Sequence, residues 1–385
     1  MKVLEIADIF RLHGSLLPKQ HTQAKKVIQD IKNCRTSVLG GHKLQCESCE
    51  FTKNAYNSCR NRHCPKCQYL TRVKWVEKQT QDLLDCQYFH VVFTIPAELR
   101  PLFLQNKKHC YNLLFKASAE TLKEVAENPK NLGAEIGFTG VLHTWGQNLV
   151  DHAHIHYVVP GGGLDKKKTK WIACRQDYFL PVKVLSKVFK GKLLEYLRKY
   201  YKENKLLFFG KIKKLECPKL WEELLTSVAF KDWVVYSKEP FNGAEQVIKY
   251  LGRYTHRIAI SNQRIVKLQR GRVYFKCRDL ENPGKTKVTS LEVKEFMRRF
   301  LLHVLPKKFV RIRHFGLLGN RLRKKRIELI RKLKGVVKKT KDLLQNDWKD
   351  LLKIFDGLDV RACPSCKKGV LTEVFEFPNA LLNTS

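Results

Sequence analysis

Acidic residues are scarce in this chain. Only 36 Asp and Glu stand against 74 Lys and Arg in 385 residues, leaving a formal charge of +38. So large an excess repels itself in a compact state unless a polyanion neutralises it, so a phosphate-rich partner is expected rather than a merely soluble basic protein. Also missing is any run near the ~18 consecutive apolar residues that a membrane span requires, so no membrane partner is expected. Residues 1–17 carry one early lysine, then an amphipathic pattern that includes Glu5 and Asp8, unlike a secretory signal. There is no internal repeat and no low-complexity tract. An intracellular setting follows, where thiols stay reduced and paired cysteines indicate metal rather than disulfides.

What is present reads as α+β. The length suits two or three domains. Two short helices are expected in residues 4–33, a cysteine-crowded stretch in 34–67, a helix from Tyr69 to about Cys86, and a strand from Tyr88 to Ile95. Residues 97–128 read as a helix, 136–145 and 152–159 as strands, and 182–204 as helical. Further strands are expected near 232–236, 257–260 and 272–278. The order implies an antiparallel sheet flanked by helices. Residues 307–341 hold fifteen Lys or Arg and one acid, Glu328, on a rough helical stripe, as a helix tracking a phosphate backbone would. The expected units are N-terminal helices (1–35), a zinc-binding module (36–75), a catalytic domain (86–300) and a basic, mostly helical C-terminal region (301–385).

Cys46-Glu-Ser-Cys49 and Cys64-Pro-Lys-Cys67 are two knuckles with fourteen residues between them. Two such turns can deliver four thiolates to a tetrahedral, structural Zn²⁺. His42, Cys59 and His63 lie in the same stretch and leave the ligand set open. Arg60 and Arg62 beside the knuckles are candidate nucleic-acid contacts. Cys363-Pro-Ser-Cys366 is a third knuckle, half a site with no visible partner.

Four histidines fall within fourteen residues: His143, His152, His154 and His156. Alternation along a strand puts His152, His154 and His156 on one face. A hairpin loop of two or four residues would pair position 143 with 154 on that face, and a loop of three or five would turn His143 away. His143, His154 and His156 are therefore a candidate divalent-cation site with coordination positions left open. Nitrogen ligands suit Mn²⁺ better than Mg²⁺, and Zn²⁺ is also compatible.

Farther along, Asn242 and Glu245 open a helix expected at about 243–254, with Tyr250 and Tyr254 one turn apart on one face. A phenol with its pKa near ~10 is a poor nucleophile unless a cation stabilises the phenolate. Lys249, Arg253, His256 and Arg257 raise the local positive potential, Lys249, Arg253 and Arg257 are candidate DNA contacts, and Gln246 is a weaker candidate metal ligand.

Taken in order, these stretches resemble the two-tyrosine HUH transposases of rolling-circle insertion sequences, the insertion-sequence-91 type. The matching segments are Ser58-Cys-Arg-Asn-Arg-His-Cys-Pro-Lys-Cys67, Leu142-His-Thr-Trp-Gly-Gln147, His152-Ala-His-Ile-His-Tyr-Val-Val-Pro-Gly-Gly-Gly163, Tyr250-Leu-Gly-Arg-Tyr254 and the run from His303 to His314. The resemblance covers about residues 30–325 and leaves out the lysine-rich tail. It implies an HUH-endonuclease core behind a zinc-binding domain, in a bacterial cytoplasm. His154 and His156 would be the metal pair, with Mn²⁺ or Mg²⁺. Tyr250 and Tyr254 would be the nucleophiles on single-stranded DNA, forming a 5′-phosphotyrosine link. Three rivals stay open on sequence alone: a plasmid relaxase or replication initiator with the same chemistry, a non-catalytic zinc-ribbon regulator, and a phosphodiesterase that uses water.

Overall fold

The computed structural model describes residues 4–18, 21–238, 252, 259–279, 281–282, 284–336, 347–357 and 359–381. The first helices are α1 (Ile6–His13) and α2 (Thr22–Asn33), and they lead into a hairpin of β1 (Gly41–Cys46) and β2 (Thr52–Tyr56). Helix α3 (Tyr69–Gln81), strand β3 (Tyr88–Thr94), α4 (Arg100–Gln105) and α5 (Lys107–Glu127) follow. Next come β4 (Gly137–Trp145), β5 (Asp151–Pro160), β6 (Gly162–Leu164) and β7 (Trp171–Ala173). Helices α6 (Val182–Lys202) and α7 (Pro218–Ala229) precede β8 (Val235–Lys238). The last third holds β9 (Ile265–Gln269), β10 (Arg272–Arg278), β11 (Thr286–Glu292), α8 (Val293–Leu302), β12 (Ile312–Gly316), α9 (Arg323–Leu333), α10 (Trp348–Asp356) and β13 (Leu371–Phe377).

The centre is a five-stranded antiparallel sheet in the order β12-β4-β5-β3-β8. Strict alternation sorts its faces. Phe89, Val91 and Phe93 of β3 and Ala153, Ile155, Tyr157 and Val159 of β5 are buried in one apolar core with α5 and α6. The histidines occupy the opposite face. The helix expected over 97–128 is split at Asn106, whose φ of −110° and ψ of 39° are not helical. Its buried side chain donates to Leu207 O and accepts from Leu207 N, fixing the incoming chain at the break.

Three associations cross the boundaries of the expected units. Strand β12 lies beyond residue 300 yet pairs with β4, and Phe315 stacks on Phe138 at 5.3 Å in the core. Cationic neighbours hide its period-two pattern, because Arg313 lays its guanidinium over the Phe115 ring instead of into solvent. The C-terminal region is also not mostly helical at its end, since β13 pairs antiparallel with β1 from the start of the chain. Nor are the N-terminal helices a separate unit. Ile6, Phe10, Val27 and Ile31 share a core with Val273, Phe275, Phe296 and Phe300.

At the middle of the central sheet, Gly140 pairs with Tyr157, whose ring lies over it while its hydroxyl meets Ser118 Oγ at 2.7 Å. A Cβ there would overlap the ring. Gly140→Ala should therefore cost ~1–3 kcal/mol through overpacking. Denaturant unfolding would show it as a lower midpoint with unchanged slope, and an unchanged midpoint would contradict the packing.

Candidate active site and metal centres

The histidine hairpin reaches its register by an unexpected route. Its connection, residues 146–150, has five residues, and Trp145 pairs with Asp151. That parity alone would place His143 opposite Ala153. A bulge between Trp145 and His143 inserts one additional residue into β5, and His143 pairs with His154 after all. The loop is held by Leu149 in the left-handed region (φ 62°) and fully buried. Its carbonyl accepts from His303 Nε2 at 3.2 Å, and Thr144 Oγ1 lies 3.3 Å from His303 Nδ1.

The donor atoms of His143, His154 and His156 all lie within 4.8 Å of one another. Each ring is nearly buried. His154 Nδ1 donates to His152 O at 2.6 Å, which leaves Nε2 to present its lone pair. His156 Nδ1 meets His90 Nε2 at 2.7 Å, and its own Nε2 is buried with no hydrogen-bond partner. Burial holds His154 and His90 down to about 4, and it pushes His143 and His156 well below the usual imidazole range, helped by neighbouring histidines. Neutral rings whose donor atoms converge, with His156 Nε2 buried and without a hydrogen bond, fit a divalent cation. His90 is absent from the sequence reading, although alternation in β3 puts it on the polar face, two residues from Val92, the partner of His156.

The expected cysteine quartet divides. Cys64 and Cys67 are joined by Cys34 and Cys59, whereas Cys46 and Cys49 lie with Cys363 and Cys366. The reason is the β1–β2 hairpin: Cys46 ends β1 at the turn, while Cys64 and Cys67 follow β2 at the other end, against the C-terminus of α2. In the first quartet Cys67 Sγ is 3.2 Å from Cys34 Sγ and 3.5 Å from Cys59 Sγ. Cys34 was legible only as the first member of the cysteine crowd. Neither nearby histidine joins in. His42 pairs with Glu373 at 3.3 Å, and His63 Nε2 accepts from Leu305 N at 3.1 Å.

Arg60 is exposed, as a nucleic-acid contact requires, but Arg62 turns inward and donates NH1 to Phe309 O at 2.7 Å. Its Nε and NH2 are buried without partners. Tyr250, Tyr254, Lys249, Arg253 and Arg257 lie outside the described residues, as do Gln246 and His256. Gly252, between the two tyrosines, is described: it packs on α3, where a Cβ would collide with Val76 Cγ2. Helix α3 in turn sets Trp75 against Tyr88 and Val158, two residues along β5 from His156 and on the same face.

An antiparallel sheet carrying a buried histidine triad, joined to cysteine centres on a strongly basic chain, fits the class of metal-binding proteins with a polyanionic partner. Comparison with known proteins makes this specific. A family described as "Putative transposase" matches residues 137–326, and a "Transposase zinc-binding domain" matches residues 8–95. A Sinorhizobium fredii protein named "Putative transposase y4qJ" is 45% identical over 380 residues, covering 97% of this chain and 96% of its own. The "Transposase for insertion sequence element IS801" of Pseudomonas savastanoi is 28% identical over 305 residues, covering 75% and 68%. The chain belongs to the insertion-sequence-91-type transposases. Among solved structures, a metal-bound conjugative relaxase TrwC in complex with OriT DNA is 12% identical, covering 66% of this chain and 96% of that one, at a TM-score of 0.25. A superposition that poor establishes no common fold.

Two measurements test this geometry. His154→Ala with His156→Ala should abolish Mn²⁺ binding by calorimetry while leaving the circular dichroism unchanged, and retained stoichiometric binding would remove the histidine site. For His303 the sign is explicit: burial holds its folded pKa at about 3, below the ~6.5 of an unfolded histidine. Its contribution is therefore complete above pH ~6.5 and is lost as pH falls through that value, because the unfolded chain binds the proton first. His303→Gln, which keeps a donor and an acceptor, should flatten the loss of stability between about pH 6.5 and 4 relative to the parent.

Proposed function

We propose that this transposase cuts and rejoins single-stranded DNA through Tyr250 and Tyr254, acting on a phosphate held at His143, His154 and His156. The observation that carries the reading is the buried, neutral histidine triad on a sheet face shared with α3, against which Gly252 packs. Each tyrosine lies two positions from Gly252 along the chain, with one residue between.

When bound, Mn²⁺ or Mg²⁺ would supply Lewis-acid polarisation of the scissile phosphate and stabilise charge on the attacking phenol. The protein's part is orientation. His152 O and His90 fix the imidazole rings of His154 and His156 through their second nitrogens, so the lone pairs converge without reorganising. One tyrosine oxygen forms a bond to phosphorus, the bond to the 3′ oxygen breaks, and the phenolic proton ends on the departing 3′-hydroxyl. One phosphodiester replaces another, so a 3′-hydroxyl can later reverse the step without an external energy source. A second tyrosine allows a second strand end to be held, as transfer between donor and target requires. The excess of 38 positive charges favours the polyanion, with binding that weakens steeply as salt rises.

The test is a labelled single-stranded oligonucleotide carrying the element's terminus, incubated with Mn²⁺ and resolved on a denaturing protein gel. The parent should give a covalent adduct, and Tyr250→Phe with Tyr254→Phe should give none while still retarding the oligonucleotide on a native gel. Cleavage without adduct in the parent would indicate attack by water. Adducts persisting in the double variant would place the nucleophile elsewhere.

A further inference from the structure

We infer that Cys46, Cys49, Cys363 and Cys366 form a second structural Zn²⁺ centre, a zinc ribbon assembled from both ends of the chain. Half of its ligands lie far outside residues 8–95, the stretch matched to the zinc-binding domain. It is separate from the quartet of Cys34, Cys59, Cys64 and Cys67.

Sulfur geometry comes first. Cys46 Sγ is 3.7 Å from Cys366 Sγ, and Cys49 Sγ is 3.7 Å from Cys363 Sγ. A disulfide requires ~2.05 Å. Four Zn–S bonds of ~2.3 Å arranged tetrahedrally give S···S edges of ~3.8 Å. The separations match the second.

The two knuckles are also built alike and interlock. Ser48 N donates to Cys46 Sγ at 3.4 Å, and Gly369 N donates to Cys366 Sγ at 3.3 Å, each backbone amide turned toward a sulfur as a thiolate ligand needs. Glu47 N donates to Val370 O at 3.0 Å across the pair. Gly369 lies so close to Cys46 Sγ and Ser48 that a Cβ would overlap them, so this turn has to be glycine for the loops to meet. Pairing then runs from Cys46 opposite Leu371 to Gly41 opposite Phe377.

Packing alone does not explain the assembly. The sheet β13-β1-β2 has strands of five to seven residues, β2 and β13 contain no buried residue, and Val374 and Phe375 of β13 are half exposed. So small a sheet, without a core of its own, needs a staple. Four sulfurs at tetrahedral spacing supply one, since metal binding contributes folding free energy where apolar burial cannot. The staple reaches farther than the sheet. Arg361, two residues before Cys363, binds Asp347 and Asp350 around α10, and α10 lies against α3.

The test uses the intact protein, purified with a phosphine reductant so that disulfides cannot form. Elemental analysis should find two zinc ions per chain when the histidine site is removed by His154→Ala with His156→Ala. Brief iodoacetamide labelling should modify the exposed Cys217 while sparing Cys49 and Cys366, which are only partly buried and so depend on metal for protection. After chelation with phenanthroline, Cys49 and Cys366 should become labelled together. Added to the histidine variant, Cys363→Ser with Cys366→Ser should lower the zinc content to one and expose Cys49, with Cys59 and Cys67 still protected. One zinc per chain in the histidine variant, or labelling of the parent's Cys49 and Cys366 at the rate of Cys217 before chelation, overturns the inference. The parent's labelling settles the matter even if the variant does not fold.

Discussion

The candidate active site depends on one residue too many in β5. A five-residue connection sends the strand back with the wrong parity, and every side chain beyond it would face the wrong way. The bulge opposite Thr144 reverses that parity and sends three imidazoles to the same side of the sheet. Bulges distort ladders and are held only where the surroundings over-determine them. Here the surroundings are identifiable: Leu149 is buried in a left-handed conformation, and His303 takes both its carbonyl and the Thr144 hydroxyl. The core helices set the far face of the hairpin through Ile155 and Tyr157, so the histidine face has no freedom to slip.

Burial then determines what those imidazoles can do. Three rings crowded at van der Waals distance in a site nearly closed to water cannot all carry protons, because each charge would be both desolvated and repelled. They stay neutral, which is the form that ligates metal. The His152 carbonyl selects the tautomer of His154, leaving its Nε2 free to ligate, and His90 fixes the ring of His156 through its Nδ1. The sheet thereby prepays the orientation that an exposed cluster would have to find on each binding event.

Much of this was legible before any coordinates. Alternation in Tyr88–Thr94 and in the histidine strand gave both faces, and the order of motifs gave the family. The parity of the hairpin was not legible, because a bulge leaves no mark in a period-two pattern. The grouping of cysteines failed for a related reason. Spacing along the chain shows which thiols form a knuckle, but not which knuckles meet, and the partner of Cys46 and Cys49 lay more than 300 residues away. Strand β12 escaped because its arginines read as a solvated run, whereas Arg313 lies over Phe115 and Phe309. His90 was readable in principle. Its face followed from alternation, but a lone histidine in a strand offers no reason to look for a partner.

The cysteine centres are more than ballast for a basic protein. Cys67 stands two residues before α3 begins, so the quartet with Cys34 and Cys59 sets where that helix starts. Along its length α3 places Trp75 on Val158, receives Gly252 at Val76, and meets Arg323 through Gln79. Gly252 allows the closest approach at that point, since a Cβ there would collide with Val76. A thiolate centre at one end of a rigid helix and a glycine contact near its middle form a short mechanical path to the histidine face. Displacing α3 by even ~1 Å would shift Trp75 on Val158 and so the wall beside the histidines, and misplacement on that scale is costly wherever reacting groups have to be aligned. The zinc-binding module thereby braces the wall that α3 forms beside the histidine face.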